Sequence, residues 1–355
     1  MKYLSLVFSF LILFLLVGFS CSDPDPQIPD IEENDTTPVQ KNYVNPVFEP
    51  VLADPSVLKD GEFYYAYGTE DNWGSEGGHK LVPIIRSKDL VSWEFVRNAF
   101  ITKPTWKDQG GLWAPDVAKV GEEYFMYYSY STWGDPNPGI GLAIASRAEG
   151  PFIDQGKLFL SDEIGVTNSI DAFYIEDNDK KYLFWGSFHG IYAVELSENG
   201  RQVIGEKIHI GHNHLEASYI FKKNGKYYYF GSEGSCCDGG NSTYRLRVAV
   251  SENLLGPYLD KSGNDIKDGP YGEIILSRNA ESFGFVGPGH NGHIMTDEEG
   301  QDWLLYHAIP KNNPLLQNGA SRRPLLLDKI IWVDGWPSIQ SGTPSITSQP
   351  APKFK

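Results

Sequence analysis

One pattern recurs five times along this chain: a polar or special residue, an apolar pair, a polar turn, then a dense aromatic strand. The copies are Asp54-Pro-Ser-Val-Leu-Lys-Asp-Gly-Glu-Phe-Tyr-Tyr65, Trp113-Ala-Pro-Asp-Val-Ala-Lys-Val-Gly-Glu-Glu-Tyr-Phe125, Asp171-Ala-Phe-Tyr-Ile-Glu-Asp-Asn-Asp-Lys-Lys-Tyr-Leu183, Glu216-Ala-Ser-Tyr-Ile-Phe-Lys-Lys-Asn-Gly-Lys-Tyr-Tyr228 and His290-Asn-Gly-His-Ile-Met-Thr-Asp-Glu-Glu-Gly-Gln-Asp-Trp-Leu304. Each reads as strand, hairpin turn, strand, with further strand-like material behind it. No long stretch of helical period intervenes, so the class is all-β. A four-strand unit repeated five times fits a five-bladed β-propeller, in which each blade buries its faces against its neighbours. A pair of sandwiches would not explain the matching opening residues.

A propeller has a chemical consequence. The first strand of each blade lines the central axis. The opening residues Asp54, Trp113, Asp171, Glu216 and His290 are therefore expected in one pocket. Three carboxylates brought together out of water push their pKa values apart. One can then hold a proton while another stays ionised. That division suits glycosidic hydrolysis, where an acid protonates the leaving oxygen and a base activates water. Metal binding is a weaker expectation, because the carboxylates lie on different blades and none of the five opening residues belongs to a His-x-His or Glu-x-x-His cluster.

Composition limits the partners. The net charge is −16, from 46 acidic against 30 basic residues. Such a surface repels phosphate backbones, which argues against nucleic acid. Three cysteines cannot staple a scaffold.

The first residues read as an export signal. Lys2 precedes an uncharged apolar run from Leu4 to Phe19, short for a membrane span but suited to a signal peptide over residues 1–20. Val17-Gly-Phe-Ser-Cys21 resembles a bacterial lipobox, which implies lipidation of Cys21. Residues 21–43 are acidic and Pro-rich and read as a disordered tether. The expected layout is a propeller over 44–345 and a tail over 346–355. Attachment to the outer membrane is then through lipid alone, facing the surface or the periplasm, and the protein is expected to be a monomer.

From about Asn45 to Ile339 the chain resembles glycoside hydrolase family 43, five-bladed propeller enzymes acting mainly on arabinose- and xylose-containing glycans. Ala53-Asp54-Pro-Ser-Val57 resembles the segment of the family's general base. Asn168-Ser-Ile-Asp171 resembles that of the carboxylate orienting the acid, and Leu215-Glu216-Ala-Ser-Tyr219 that of the acid itself. Trp113-Ala-Pro-Asp116 is a further hallmark. The resemblance implies an inverting glycosidase on a plant polysaccharide, arabinan foremost and xylan next, by endo or exo attack. A surface glycan-binding propeller without turnover is the rival of another class. Two departures stand out: Ala172 and Ser218 occupy positions where many relatives have Pro.

Gly287-Pro-Gly-His290-Asn resembles an arabinanase-type segment whose His sits beside a central ion, so calcium near His290 is expected. One imidazole is a poor calcium cage, and waters would have to supply the rest. Ser235-Cys236-Cys237 also resembles arabinanase-like members. A vicinal disulfide and two reduced thiols both remain open. Trp73, Phe188 and Trp133, on loops, are expected to stack sugars beside Trp113, and Arg323 to contact substrate hydroxyls. Asp177-Asn-Asp-Lys180 looks calcium-like, but a hairpin turn explains it better.

Overall fold

A computed structural model of the protein describes residues 41–354. The five repeats become five antiparallel four-stranded sheets. Blade I comprises Ser56–Asp60, Phe63–Tyr67, Pro83–Ser87 and Trp93–Asn98. Blade II comprises Gly111–Val120, Glu123–Ser131, Gly139–Ala145 and Ile153–Leu160. Blade III comprises Phe173–Asp177, Lys180–Trp185, Ile191–Leu196 and Ile208–Gly211. Blade IV comprises Glu216–Lys223, Lys226–Glu233, Arg245–Ser251 and Glu273–Leu276. Blade V comprises Phe285–Asn291, Asp302–Pro310, Leu325–Val333 and Trp336–Ile339, with the short strand Met295–Thr296 beside the second. In every blade the strands lie side by side in chain order.

Turn chemistry sets the registers. Asn224 and Gly225 both have positive φ, as do Asn178 and Asp179. Each pair forms the two-residue turn whose twist matches the strands it joins. The Asp177–Lys180 segment is thus a hairpin turn, and Asp177 accepts a hydrogen bond from Tyr227 at 2.8 Å.

Side-chain alternation explains why a blade needs neighbours. In Phe63–Tyr67, Tyr65 and Tyr67 face blade II, in a cluster with Leu112, Val117 and Tyr128. Tyr64 and Ala66 point the other way and pack with Trp303, Leu305 and Leu325 of blade V. A period of two on a strand buried on both faces requires a partner sheet on each side. Each buried aromatic contributes roughly 1.5–3 kcal/mol relative to exposure. The hydroxyls are satisfied as well: Tyr67 donates to the carbonyl of Ala148 at 2.7 Å.

The ring closes between blades V and I. Asn45 donates to the carbonyl of Leu327 at 3.0 Å and accepts from its N–H at 2.9 Å. Leu52 N–H donates to the carbonyl of Arg323 at 2.9 Å. Here the expected domain limits need correction. Asn42–Tyr43 pairs with Gln349–Pro350, Ala351 is buried, and Phe354 packs on Tyr64. So the end of the tether and much of the segment 346–355 belong to the fold. The reason is that the strand ends of blades I and V leave apolar surface that these segments cover. Cys21, the expected signal peptide and most of the tether lie outside the described residues.

Candidate active site

The opening residues converge as the repeat requires. Asp54, Trp113, Asp171, Glu216 and His290 all line one cavity of about 790 Å3. The backbone turns sharply at this end of the inner strands. Asp54 and Asp171 have φ of 50° and 59°, and Ala114 and Ala217, just after Trp113 and Glu216, have 41° and 59°. Left-handed conformations in non-glycine residues are costly and persist where the surrounding structure imposes them. Register shifts follow Trp113 and Glu216 in their strands, and such bulges re-aim side chains.

The three carboxylates have different surroundings. Asp54 accepts from Thr69 Oγ1 at 2.5 Å and from Arg323 Nη1 at 3.3 Å. His307 Nδ1 lies 3.4 Å and His290 Nδ1 3.8 Å from Asp54 Oδ1. Burial by itself would raise this carboxyl, but the Arg323 guanidinium first, and the Thr69 hydrogen bond with it, hold it well below the usual carboxylate range. His307 Nδ1 accepts the Asp54 backbone N–H at 3.1 Å, so this ring is neutral with its proton on Nε2. Its pKa is pushed down to about 3, chiefly by burial. Burial also lowers His290.

Glu216 is 7% exposed. Ser187 Oγ donates to its Oε2 at 2.6 Å, and Tyr244 OH to its Oε1 at 2.5 Å. Burial outweighs both hydrogen bonds and, with the nearby Asp54 charge, pushes Glu216 up to about 7. Asp171 is raised first by burial and then by the charge of Glu216. The pair resists double ionisation and retains a proton near neutrality. Asp171 Oδ2 also accepts the N–H of Ala217 at 3.2 Å, which fixes the backbone next to Glu216. The arrangement places a proton-bearing carboxyl in the same cavity as an ionised one.

The Trp113 ring sits 5.8 Å from that of Trp133, a residue that is 77% exposed. Phe188 also lines the cavity, as does Arg323. Trp73 does not, and its expected sugar-stacking role is corrected. It is 4% exposed, in an apolar cluster with Val51, Ala53 and Leu316. Phe48 and Phe95 contact it edge-on, and Lys80 sits over its ring. Its loop folds inward because Arg322 pairs with Glu76 and Asn318 donates to the carbonyl of Asn72.

His290 offers an ion one imidazole, and waters would have to complete a calcium shell there. Among the described residues no group of three or more His, Cys, Asp or Glu side chains could hold a metal ion. The nearest carboxylate, Asp54, is already occupied by Thr69 and Arg323.

Cys236 and Cys237 form a vicinal disulfide and line the cavity. Ser218, one of the two departures from Pro, meets Tyr229 OH at 3.1 Å. That bond restrains the segment after Glu216 by another route. Sequence reasoning missed Thr69, Asp71, Ser187, Tyr244 and His307. A signal existed for two of them. Tyr67-Gly-Thr69 and Trp185-Gly-Ser187 are equivalent ends of second strands, each placing a hydroxyl beside a carboxylate.

Known proteins share this architecture. An extracellular endo-α-(1→5)-L-arabinanase of Bacillus subtilis is 32% identical over 306 residues, covering 81% of this chain and 87% of that protein. An extracellular exo-α-(1→5)-L-arabinofuranosidase of Cellvibrio japonicus is 29% identical over 317 residues, covering 81% and 85%. A solved Cellvibrio cellulosa α-L-arabinanase in complex with arabinohexaose superposes with a TM-score of 0.70 at 28% identity, covering 82% of this chain and 96% of the other. The family model for glycosyl hydrolases family 43 matches residues 43–337. Five matching blades, a polar axial cavity and these likenesses agree: the chain belongs to glycosyl hydrolases family 43 and is a glycosidase that hydrolyses O-glycosyl bonds.

Proposed function

We propose that the protein hydrolyses arabinan with inversion at the anomeric carbon, Glu216 acting as general acid and Asp54 as general base. The observation that carries this reading is the opposite treatment of the two carboxyls. Burial raises Glu216 to about 7, while Arg323 heads the groups that hold Asp54 ionised. Glu216 gives its proton to the leaving sugar oxygen. Asp54 takes a proton from water attacking the opposite face of the ring. Asp171 orients the acid through the Ala217 N–H and opposes ionisation of Glu216. Trp113, Trp133 and Phe188 offer apolar faces to sugar rings, and Arg323 has an Nε without a hydrogen-bond partner among the described residues. The arabinan specificity rests on the relatives, which are named for α-1,5-linked arabinose polymers.

Export and lipid attachment at Cys21 complete the proposal, supported by the lipobox-like leader and by the extracellular relatives. Cys21→Ala is expected to move the protein from the membrane to the soluble fraction.

The test is sugar release by wild type and Glu216→Gln from debranched arabinan, branched arabinan and xylan. Release from arabinan by wild type alone supports the reading, and the anomer first formed, read by proton NMR, checks inversion. Glycan binding without release would favour a surface binding propeller instead.

A further inference from the structure

The segment 234–244 leaves blade IV beside the proposed acid. Ser232 pairs with Glu216 across the first two strands of that blade, and the disulfide follows four residues later. Cys236 and Cys237 are both partly exposed and both face the cavity. The turn that carries them is held independently of the sulfurs. Thr243 and Tyr244 donate their N–H groups to the carbonyl of Ser235, at 3.1 and 3.0 Å. Asp238 N–H donates to Ser242 Oγ at 2.9 Å. Ser321 on the neighbouring blade V loop donates to the carbonyl of Cys237 at 2.8 Å.

We propose that the Cys236–Cys237 disulfide is a sugar-contacting wall of an outer subsite above Glu216, receiving the apolar face of a sugar beyond the linkage that is cut. This rests on the glycosidase reading of the same cavity and extends it. The floor of the cavity is carboxylate. Its aromatic faces, Trp113 with Trp133 and then Phe188, belong to blades II and III. A pair of bonded sulfurs is uncharged, bears no hydrogen to donate and is polarisable, so it offers dispersion contact to a C–H face. Asp238 and Ser321 line the cavity beside it and are polar partners for the hydroxyl edge of the same ring. Blade IV thereby adds an apolar surface of its own to the cavity, and the hydrogen bonds of Ser235, Asp238 and Ser321 hold the turn that carries it.

The test uses the exported chain carrying Cys236→Ser with Cys237→Ser, and wild type treated with a phosphine reductant. Hydrolysis of arabino-oligosaccharides of two to six units is followed. KM for the longest substrates is expected to rise about tenfold, the scale of one lost apolar contact. For the shortest substrate cleaved it stays within about twofold, and kcat is unchanged throughout. In Glu216→Gln, bound hexasaccharide is expected to slow phosphine reduction of the disulfide severalfold, and disaccharide to leave it unchanged. An equal loss at all lengths, or no loss at any, overturns the proposal. So does a fall in kcat with a shifted alkaline limb, because Tyr244 hangs from Ser235 and holds Glu216, and the disulfide would then act through that link. If wild type cuts only xylo-oligosaccharides, the arabinan reading falls and the same length dependence in the xylose series decides the subsite. Inertness toward both series, with reduction unslowed by either hexasaccharide, overturns both.

Discussion

Ser187, at the end of the second strand of blade III, donates a 2.6 Å hydrogen bond to Glu216, the first residue of blade IV. The bond crosses a blade boundary and stabilises the ionised form of the proposed acid. Ser187→Ala removes it, so Glu216 keeps its proton to higher pH. The general acid works protonated, and activity falls as pH rises through its pKa. The alkaline limb of kcat/KM is therefore expected to move up by roughly half a unit to one unit. A limb that stays in place or moves down refutes this role.

Glu216→Gln and Asp54→Asn keep shape and remove the proton chemistry. Each is expected to lower kcat about 10²- to 10⁴-fold, the usual scale of general acid or base catalysis. Melting temperatures should match wild type within a few degrees, because neither change empties space. Wild-type turnover in either variant would remove the assignment.

Arg323 is the strongest of the groups holding Asp54 ionised. Arg323→Met raises Asp54 toward the ordinary carboxylate range. A general base works ionised, so activity falls as pH drops through its pKa. The acid limb is expected to move up by about one to three units. Initial rates from pH 2 to 6 measure it, as a fall that enters this range in the variant and not in wild type; a variant profile that matches wild type would mean that Arg323 serves substrate contact alone.

His293 ties the inner strands together beneath the cavity. Its Nε2 lies 2.9 Å from Asp116 Oδ1 on blade II, and its Nδ1 lies 2.6 Å from the carbonyl of Val57 on blade I. Both partners are acceptors, so both ring nitrogens donate and the ring is an imidazolium. Burial alone would lower its pKa, but the Asp116 charge and the two hydrogen bonds raise it. A raised histidine contributes stability that is complete below its unfolded value, about 6.5, and is lost as pH rises through the higher folded value. Between pH 6 and 9 wild type should lose more stability than His293→Asn, read as a larger fall in Tm over that range. Parallel melting curves for the two proteins across that range would refute it.

The blades and the three carboxylates were legible because a repeat converts sequence position into spatial position. Once Asp54, Asp171 and Glu216 open equivalent strands, they must meet. Their hydroxyl partners were harder to read. Ser187 lies 29 residues before Glu216, and only alignment of second-strand ends shows that Thr69 and Ser187 occupy the same place. Tyr244 and His307 carry no local signal, since an aromatic or an imidazole in a strand reads as packing. Trp73 was misread because an aromatic in a polar, Gly-rich loop looks exposed until Phe48, Phe95 and Leu316 cover it. The tail was misread because a two-residue ladder such as Gln349–Pro350 has no period to detect.

That small ladder has a topological consequence. Asn42–Tyr43 and Gln349–Pro350 bring the two ends of the fold side by side. Adjacent termini permit circular permutation. A short linker from Phe354 back to Lys41, with a new opening at the Asn224–Gly225 turn, would leave every blade present. Asp54, Asp171 and Glu216 would follow blade V along the chain instead of preceding it, and would keep their places around the axis. For this enzyme the order of the blades around the ring is fixed, and the point at which the chain enters that ring is a free choice.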